Sequence, residues 1–508
     1  MKSKISIDLH KLSRFVNLFL PILAIIFFLA GLKLSFYYHF LTVSFLFATA
    51  LNVFYLYLQN GHALLRNFGL LAQGRYMLES VGPELRQYLY ASDTEEKPFN
   101  RLERAEVYRK SQNIDSASSF GSLHTFDATE LKIRHSLFPT PTSELTPYSL
   151  TFGEERGIEN THTIRKPYII SAMSYGALGK NAVRALARGA KLADITMNTG
   201  EGGYPKYHLM EGCDLIFQLG TAKFGVRNKD GTLNEEKLKE IADKPTIKMI
   251  EIKLSQGAKP GKGGLLPKEK ISDEIAELRG VSKEHDVVSP AFHSECKDYT
   301  SLTQFIKRVQ NIANIPVGIK LCIGDLAQFE NMIQEFKKQD IFPDWITIDG
   351  SEGGTGAAPR AFIDRVGMPL LPALKGANDA LNEAGVRNRL KLLASGKLIG
   401  PGRQMLAFCL GADAICSARG FMLSLGCIQA IQCGSNACPV GITTHDPKLE
   451  HGLDISIKAA RVRNYVNNLK HDIDELVAAT GCQSINDLSF KHLYVPADSS
   501  ISPHVPNN

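Results

Sequence analysis

The sequence predicts an α/β protein: a (β/α)8 TIM-type barrel preceded by a two-helix transmembrane hairpin and a helical connector. Three observations carry this. From Tyr168 onward, eight short β-rich runs alternate with helix-like segments; alternation implies a parallel sheet, and eight units imply a closed barrel. Phe15 to Tyr57 is almost continuously apolar, enough for two spans of about 20 residues each. Between these regions, LLRNFGLLAQGRYMLESVGPELRQYL repeats apolar residues at helical intervals, with Leu64, Leu65, Phe68, Leu71 and Leu78 on one side. The expected division is 1–60 hairpin, 61–164 connector, 165–447 barrel and 448–508 a C-terminal helical extension. An open doubly wound sheet is the competing architecture, but no GxGxxG follows an early strand.

The hairpin is read from its flanks. Lys33, Tyr37, Tyr38 and His39 mark the break between spans. Lys2, Lys4, Lys11 and Arg14 precede the first span, and Arg66 and Arg75 follow the second. Positive charge on both outer flanks places both ends in the cytoplasm. A signal peptide has one short apolar region and a small-residue cleavage site, unlike the doubled segment here. The expected location is therefore the inner (cytoplasmic) membrane, with the remaining chain facing the cytoplasm. The 58 Lys and Arg against 52 Asp and Glu leave a net charge of only +6. Basic runs carry little aromatic interleaving, so no nucleic-acid partner is expected. Nine cysteines in 508 residues are not spaced as a secreted disulfide framework.

The strand-like runs are YIISAM (168–173), ITMNTG (195–200), MIEIKLS (249–255), DVVSP (286–290), VGIKL (317–321), WITIDG (345–350), LKLLASG (390–396) and AICSARG (414–420). Barrel enzymes work at the strand C-termini, and glycine-rich strings collect there. Asn198, Thr199 and Glu201 follow the second run; Gln256 and Lys259 follow the third, which holds Lys253; Gly353, Gly354 and Thr355 follow the sixth. Gly396 and Gly420 end the seventh and eighth, where barrels commonly bind phosphate and where glycine permits close approach. Lys320, in the fifth run, fits a flavin, because a buried ammonium stabilises an anionic reduced ring. An ordinary salt bridge within the barrel is the other reading of Lys320.

Just past the eighth run, GCIQAIQCGSNACPVG places Cys427, Cys433 and Cys438 as C-x5-C-x4-C before Pro439. Zinc sites pair cysteines more closely and use four ligands. Clustered thiolates with a trailing Cys-Pro suit an iron–sulfur cluster, and three ligands suggest a three-iron cluster. Cys213, Cys296, Cys322, Cys409, Cys416 and Cys482 are scattered and read as core residues.

Taken in order, SAMSYGALGK, MNTGEGG, KFGV, EIKLSQGAKPGKGG, DGSEGGTGAAP and GCIQAIQCGSNACPVG resemble the FMN-binding synthase domain of glutamate synthase, from about Arg165 to Pro447. The hairpin and connector further resemble a bacterial subgroup of FMN-binding glutamate synthase-like proteins. The resemblance implies a barrel holding FMN and a 3Fe–4S cluster, the latter on Cys427, Cys433 and Cys438. It implies hydride transfer from reduced FMN to 2-iminoglutarate, formed from 2-oxoglutarate and ammonia. Glu201, Lys253 and Lys259 become the catalytic candidates. Ser174, Asn198, Thr199, Gln218, Gln256, Lys320, Gly353, Gly354, Thr355, Gly396 and Gly420 become the cofactor-binding set. Lys223 stands where the family has arginine, Glu251 where it has glutamine, and His293-Ser294 where it has two histidines. A glutaminase domain is not expected ahead of the membrane segment, so ammonia is expected either free or from a separate protein, alongside a separate electron donor or acceptor. The other readings are a membrane-linked amino-acid or N-alkylamino-acid dehydrogenase reducing a quinone or carrier, and a non-catalytic membrane redox sensor.

Overall fold

Short apolar strands alternating with amphipathic helices close on themselves. In the computed structural model, which describes residues 9–114, 117–123 and 130–496, eight parallel strands form a closed barrel. They are β1 (Tyr168–Ile170), β2 (Thr196–Asn198), β3 (Leu215–Leu219), β4 (Ile247–Lys253), β5 (Val317–Leu321), β6 (Trp345–Asp349), β7 (Lys391–Ser395) and β8 (Ala414–Ser417). Each pairs with the next, and β8 pairs with β1. Every residue of β3 and β6 is buried, because parallel strands are covered on both faces. Lys2 and Lys4, counted above as hairpin flanks, lie outside the described residues, as do 497–508 of the C-terminal segment.

The strand count matches the expectation, but one member differs. DVVSP is not a barrel strand: Val287–Val288 pairs antiparallel with Leu265–Leu266 in a small sheet of its own. Val288 is 61% exposed, incompatible with a barrel wall. LIFQL takes its place as β3. It escaped sequence reading because the segment before it holds only a one-turn helix, Lys206–Leu209, and shows no helical periodicity. Lys253, Gln256 and Lys259 therefore belong to the fourth strand and its loop.

The other end of the barrel is plugged. The hairpin Leu150–Phe152 with His162–Ile164 sets Phe152 edge-on to Trp345, with centroids 5.4 Å apart. Arg156 reaches Asp344 at 2.8 Å, and Asp344 accepts the Val317 N–H at 2.6 Å. Between Tyr38 and Ser111 the chain is largely helical, whereas 130–167 contains only short strands and single turns. The long helix Ile455–Ala479 lies along Lys180–Ala193, so close that a Cβ on Gly189 would stand 2.5 Å from Val462. The segment after the cysteines thus completes the barrel's outer ring of helices.

Met1–Arg101 forms a separate unit from Leu102–Asn508. Two of its helices, Lys11–Lys33 and Tyr38–Leu58, are long and apolar enough to cross a membrane. Only 6% and 11% of their most apolar windows are buried, unlike core helices of a water-soluble domain. Phe27 stacks on Phe45 at 5.5 Å, and Asn52 donates to Asn17 at 2.8 Å. The helical pattern of the connector breaks at Gly69, whose φ of 56° is left-handed and whose missing Cβ leaves room for the Asn52 side chain.

Packing between β5 and β6 is testable. A Cβ on Gly318 would lie 2.1 Å from the Trp345 ring, so Gly318→Ala is expected to lose about 1–3 kcal/mol. Gly402→Ala, in a helix with open space around it, is expected to gain up to about 1 kcal/mol. Thermal unfolding of the purified protein reads both.

Candidate functional site

The chemistry-bearing side chains converge at the strand C-termini in three groups. The first surrounds Glu201. Lys253, at the end of β4, meets the Glu201 carboxylate at 2.5 Å. Glycine is required on both sides of that carboxylate, because a Cβ on Gly220 or Gly264 would stand 2.3 or 2.5 Å from it. Burial pushes the Glu201 carboxyl up, but Lys253, then Arg279 and Lys259, outweigh it and hold it below the usual range. Burial, reinforced by Lys253, pushes Lys259 down to about 8, with Glu201 opposing. Lys259 donates to the Ala357 carbonyl at 2.7 Å. Arg279 is buried, donates to the Tyr175 carbonyl at 3.2 Å and approaches Ser174 Oγ at 3.4 Å. Its Nε has no hydrogen-bond partner, and burial pushes the guanidinium down to about 10 against the pull of Glu201. Three cations around one carboxylate leave a surplus of positive charge, which suits an anionic ligand.

The second group fills the barrel centre. Glu251 accepts from Asn198 and Gln218, each at 2.8 Å, and from Thr347 at 2.9 Å. Asn198 also accepts the Gly200 N–H, and Thr199 accepts the Gln218 N–H. Asn198, Thr199 and Gln218 therefore have hydrogen-bonding capacity committed within the protein, where they brace the floor of the site. Lys320 lies 3.4 Å from Asp349. Burial pushes its ammonium down, but Asp349 and Glu251 overcome this and raise it. Lys320 is thus both a barrel ion pair and a fixed positive charge.

The third group lies at the ends of β6, β7 and β8. Glu352 meets Arg403 at 2.5 Å, and its main-chain carbonyl accepts from Arg419 at 2.6 Å. Burial pushes Arg419 down to about 10. Lys397 is also lowered, by burial first and then by Arg419, so these cations crowd one another. Gly353 and Gly354 line the same loop, and a Cβ on Gly354 would stand 2.9 Å from the Arg419 side chain. Thr355 holds Gln256 at 3.2 Å. Gly396 has φ 144°, which a side chain would strain. Gly420 serves a different need from close phosphate approach: its Cβ would collide with the Tyr465 hydroxyl at 2.4 Å.

Other assignments shift. Lys223 pairs with Glu295 at 2.9 Å and lies 3.2 Å from Ser294, so its charge is already matched. His293 donates Nε2–H to the Lys253 carbonyl at 3.0 Å, and burial lowers it to about 4, which keeps it neutral. Arg279 and Arg403 were not among the expected site residues. Arg279 ends a short helix, Asp273–Arg279, in the excursion between β4 and β5, where no motif marks it.

Cys427, Cys433 and Cys438 sit on one loop in which Gln429, Ile431 and Asn436 all have positive φ. For a β-branched residue such as Ile431 that is a strained conformation. Burial raises Cys427, to about 11, and Cys433. Cys438 is lowered: burial opposes its thiolate, but the N–H groups of Thr443, Val440 and Ile442 outweigh it. Among the described residues no three His, Cys, Asp or Glu side chains gather at metal-binding distance.

A closed eight-stranded parallel barrel with its charged side chains gathered at the strand C-termini has the architecture of a (β/α)8 enzyme. Residues 106–483 match the family model described as the conserved region in glutamate synthase. The chain is 39% identical over 482 residues to the glutamate synthase large subunit-like protein YerD of Bacillus subtilis, covering 87% of this chain and 92% of that one. It is 35% identical over 322 residues to the archaeal glutamate synthase (NADPH) of Methanocaldococcus jannaschii, covering 63% of this chain and 60% of the relative. The glutamate synthase (NADPH) large chain of Bacillus subtilis is 30% identical over 65% of this chain, but only 21% of that much longer protein is matched. The chain belongs to the glutamate synthase family, and it is an oxidoreductase acting on CH–NH2 groups.

Lys259 gives this site a pH signature. Its ammonium attracts an anion and its neutral amine does not, so affinity for a small dicarboxylate such as oxalate is expected to fall as pH rises through about 8. Lys259→Arg stays charged over that range and should flatten the profile. Calorimetric titration across the range checks both, and a flat wild-type profile would remove Lys259 from the site.

Proposed function

We propose that this enzyme forms glutamate by reductive amination of 2-oxoglutarate through 2-iminoglutarate, using FMN and a 3Fe–4S cluster. The observation that carries this reading is the Glu201–Lys253 pair with Lys259 and Arg279 around it, beside the cation-rich cradle at β6 to β8. Two buried cations beyond the ion pair match the two carboxylates of the substrate. The cradle of Gly353, Gly354, Gly396, Lys397, Arg403 and Arg419 matches a phosphate, and the archaeal and large-chain relatives bear glutamate synthase names.

FMN, when bound, supplies a hydride to the imine carbon. The protein's part is placement and charge. Lys259 and Arg279 hold the carboxylates, Lys253 fixes Glu201, and the Glu201 carboxylate accepts a hydrogen bond from the protonated imine nitrogen, which hydride addition leaves as the neutral amine. Lys320, kept cationic by Asp349 and Glu251, would favour negative charge on a reduced flavin ring held beside it. Gln256 and Thr355 close the loop edge, and Ser174 steadies Arg279. Reoxidation of the dithionite-reduced flavoprotein by 2-oxoglutarate with ammonia, and not by either alone, is the expected result; no reoxidation by the pair would sink the reading. Lys253→Met should slow it by about 100-fold or more.

Cys427, Cys433 and Cys438 are the proposed cluster ligands, supported by their shared strained loop and the thiolate-favouring N–H groups around Cys438. Binding requires the loop to draw the three sulfurs together. Anaerobically purified protein should contain iron and acid-labile sulfide, and Cys433→Ser should lose both while the barrel stays folded. Iron-free protein carrying full flavin would remove the cluster from the reading.

The two exposed apolar helices support a membrane-spanning hairpin with both ends and the barrel in the cytoplasm. They also favour a second reading, an amino-acid or N-alkylamino-acid dehydrogenase that delivers electrons to a membrane quinone. Quinone reduction in lipid, driven by an amino acid, distinguishes it.

A further inference from the structure

Beyond the hairpin, one helix leaves its apolar side chains exposed among the described residues. Gln73–Leu85 continues through Arg86–Tyr90, and none of these residues is buried. Met77, Leu78, Val81, Leu85, Tyr88 and Leu89 are all exposed. At 100° per residue they form one stripe about 120° wide, with Arg75 and Arg86 beyond one edge, Glu84 beyond the other, and Glu79, Ser80 and Gln87 farther around the helix. A helix of this length containing Gly74, Gly82 and Pro83 is marginal alone in water. Its apolar stripe therefore requires a cover.

The local contacts identify that cover. Leu70 donates its N–H to Asn52 Oδ1 at 2.6 Å, and Gln73 donates to the Tyr55 hydroxyl at 2.8 Å. The His62 and Tyr76 rings lie 6.1 Å apart. These contacts pin the start of the helix to the last turns of the second apolar helix, which ends at Leu58. In a spanning hairpin that level is the lipid–water boundary, where tyrosine and arginine are favoured and amphipathic helices lie in the plane. We propose that Gln73–Tyr90 is an in-plane anchor whose Met77–Leu89 stripe is immersed in the bilayer interface. The inference rests on the spanning reading of the hairpin. It makes the region a third membrane contact and fixes where the chain leaves the lipid.

The test uses the full chain in phosphatidylcholine vesicles with and without brominated acyl chains. The protein has one tryptophan, Trp345, fully buried in the barrel, so an added tryptophan reports over a constant background. Leu46→Trp probes the second span, Leu85→Trp the stripe and Gln87→Trp the opposite face. Brominated lipid is expected to quench Leu46→Trp and Leu85→Trp and to leave Gln87→Trp at the wild-type level. Quenching at Leu46→Trp but not at Leu85→Trp overturns the anchor while the spanning reading stands; a blue-shifted, unquenched Leu85→Trp would show that protein covers the stripe instead. Equal quenching at positions 85 and 87 overturns the in-plane orientation. No quenching at Leu46→Trp removes the spanning reading, and the anchor with it.

Discussion

Burying cations in the mouth of a closed barrel forces carboxylates in beside them, and the rest of the site depends on that balance. An isolated charge taken out of water costs several kcal/mol or more. Lys253 is matched by Glu201 and Lys320 by Asp349; the half-exposed Arg403 pairs with Glu352 at the rim. Glu251 is matched by three hydrogen-bond donors and by the field of Lys320. The pairs hold the strand ends at fixed separations, since each joins different strands or their loops. What they leave uncompensated, chiefly Lys259 and Arg279, is the charge available to a ligand.

The glycines follow from the same crowding. Gly220 and Gly264 make room for the Glu201 carboxylate, Gly354 for Arg419, and Gly420 for Tyr465. A glycine at a strand end is thus not by itself a sign of ligand approach. Some of those at this mouth clear space for the charged side chains that would contact the ligand. The tight fit also explains why the outer helix Ile455–Ala479 matters at the site: Tyr465 donates to the Ile399 carbonyl at 2.7 Å in the loop after β7.

The site was legible where function is packed into short strings. MNTGEGG, KLSQGAK and EGGTG carry their glycines and charged residues within a few positions, because a single loop delivers them together. Arg279 was not legible, since it arrives from a short helix far along the excursion after β4. The barrel was legible as eight alternations, yet one strand was misidentified. DVVSP has strand composition without burial, whereas LIFQL is buried but lacks a clear helix before it. Lys223 was legible as a departure from the family pattern, and its pairing with Glu295 was not.

The sequence by itself determined the period of the secondary structure, the two apolar helices and the cysteine spacing, because each depends on neighbours along the chain. It also determined family membership, through motifs whose order survives without knowledge of their contacts. Only the tertiary structure decided which runs close the barrel, which cations are already paired and which glycines answer to side chains rather than to a ligand. It alone exposed the uncovered stripe on Gln73–Tyr90. Those properties depend on atoms distant in sequence and close in space, where burial converts a weak charge interaction in water into a strong one.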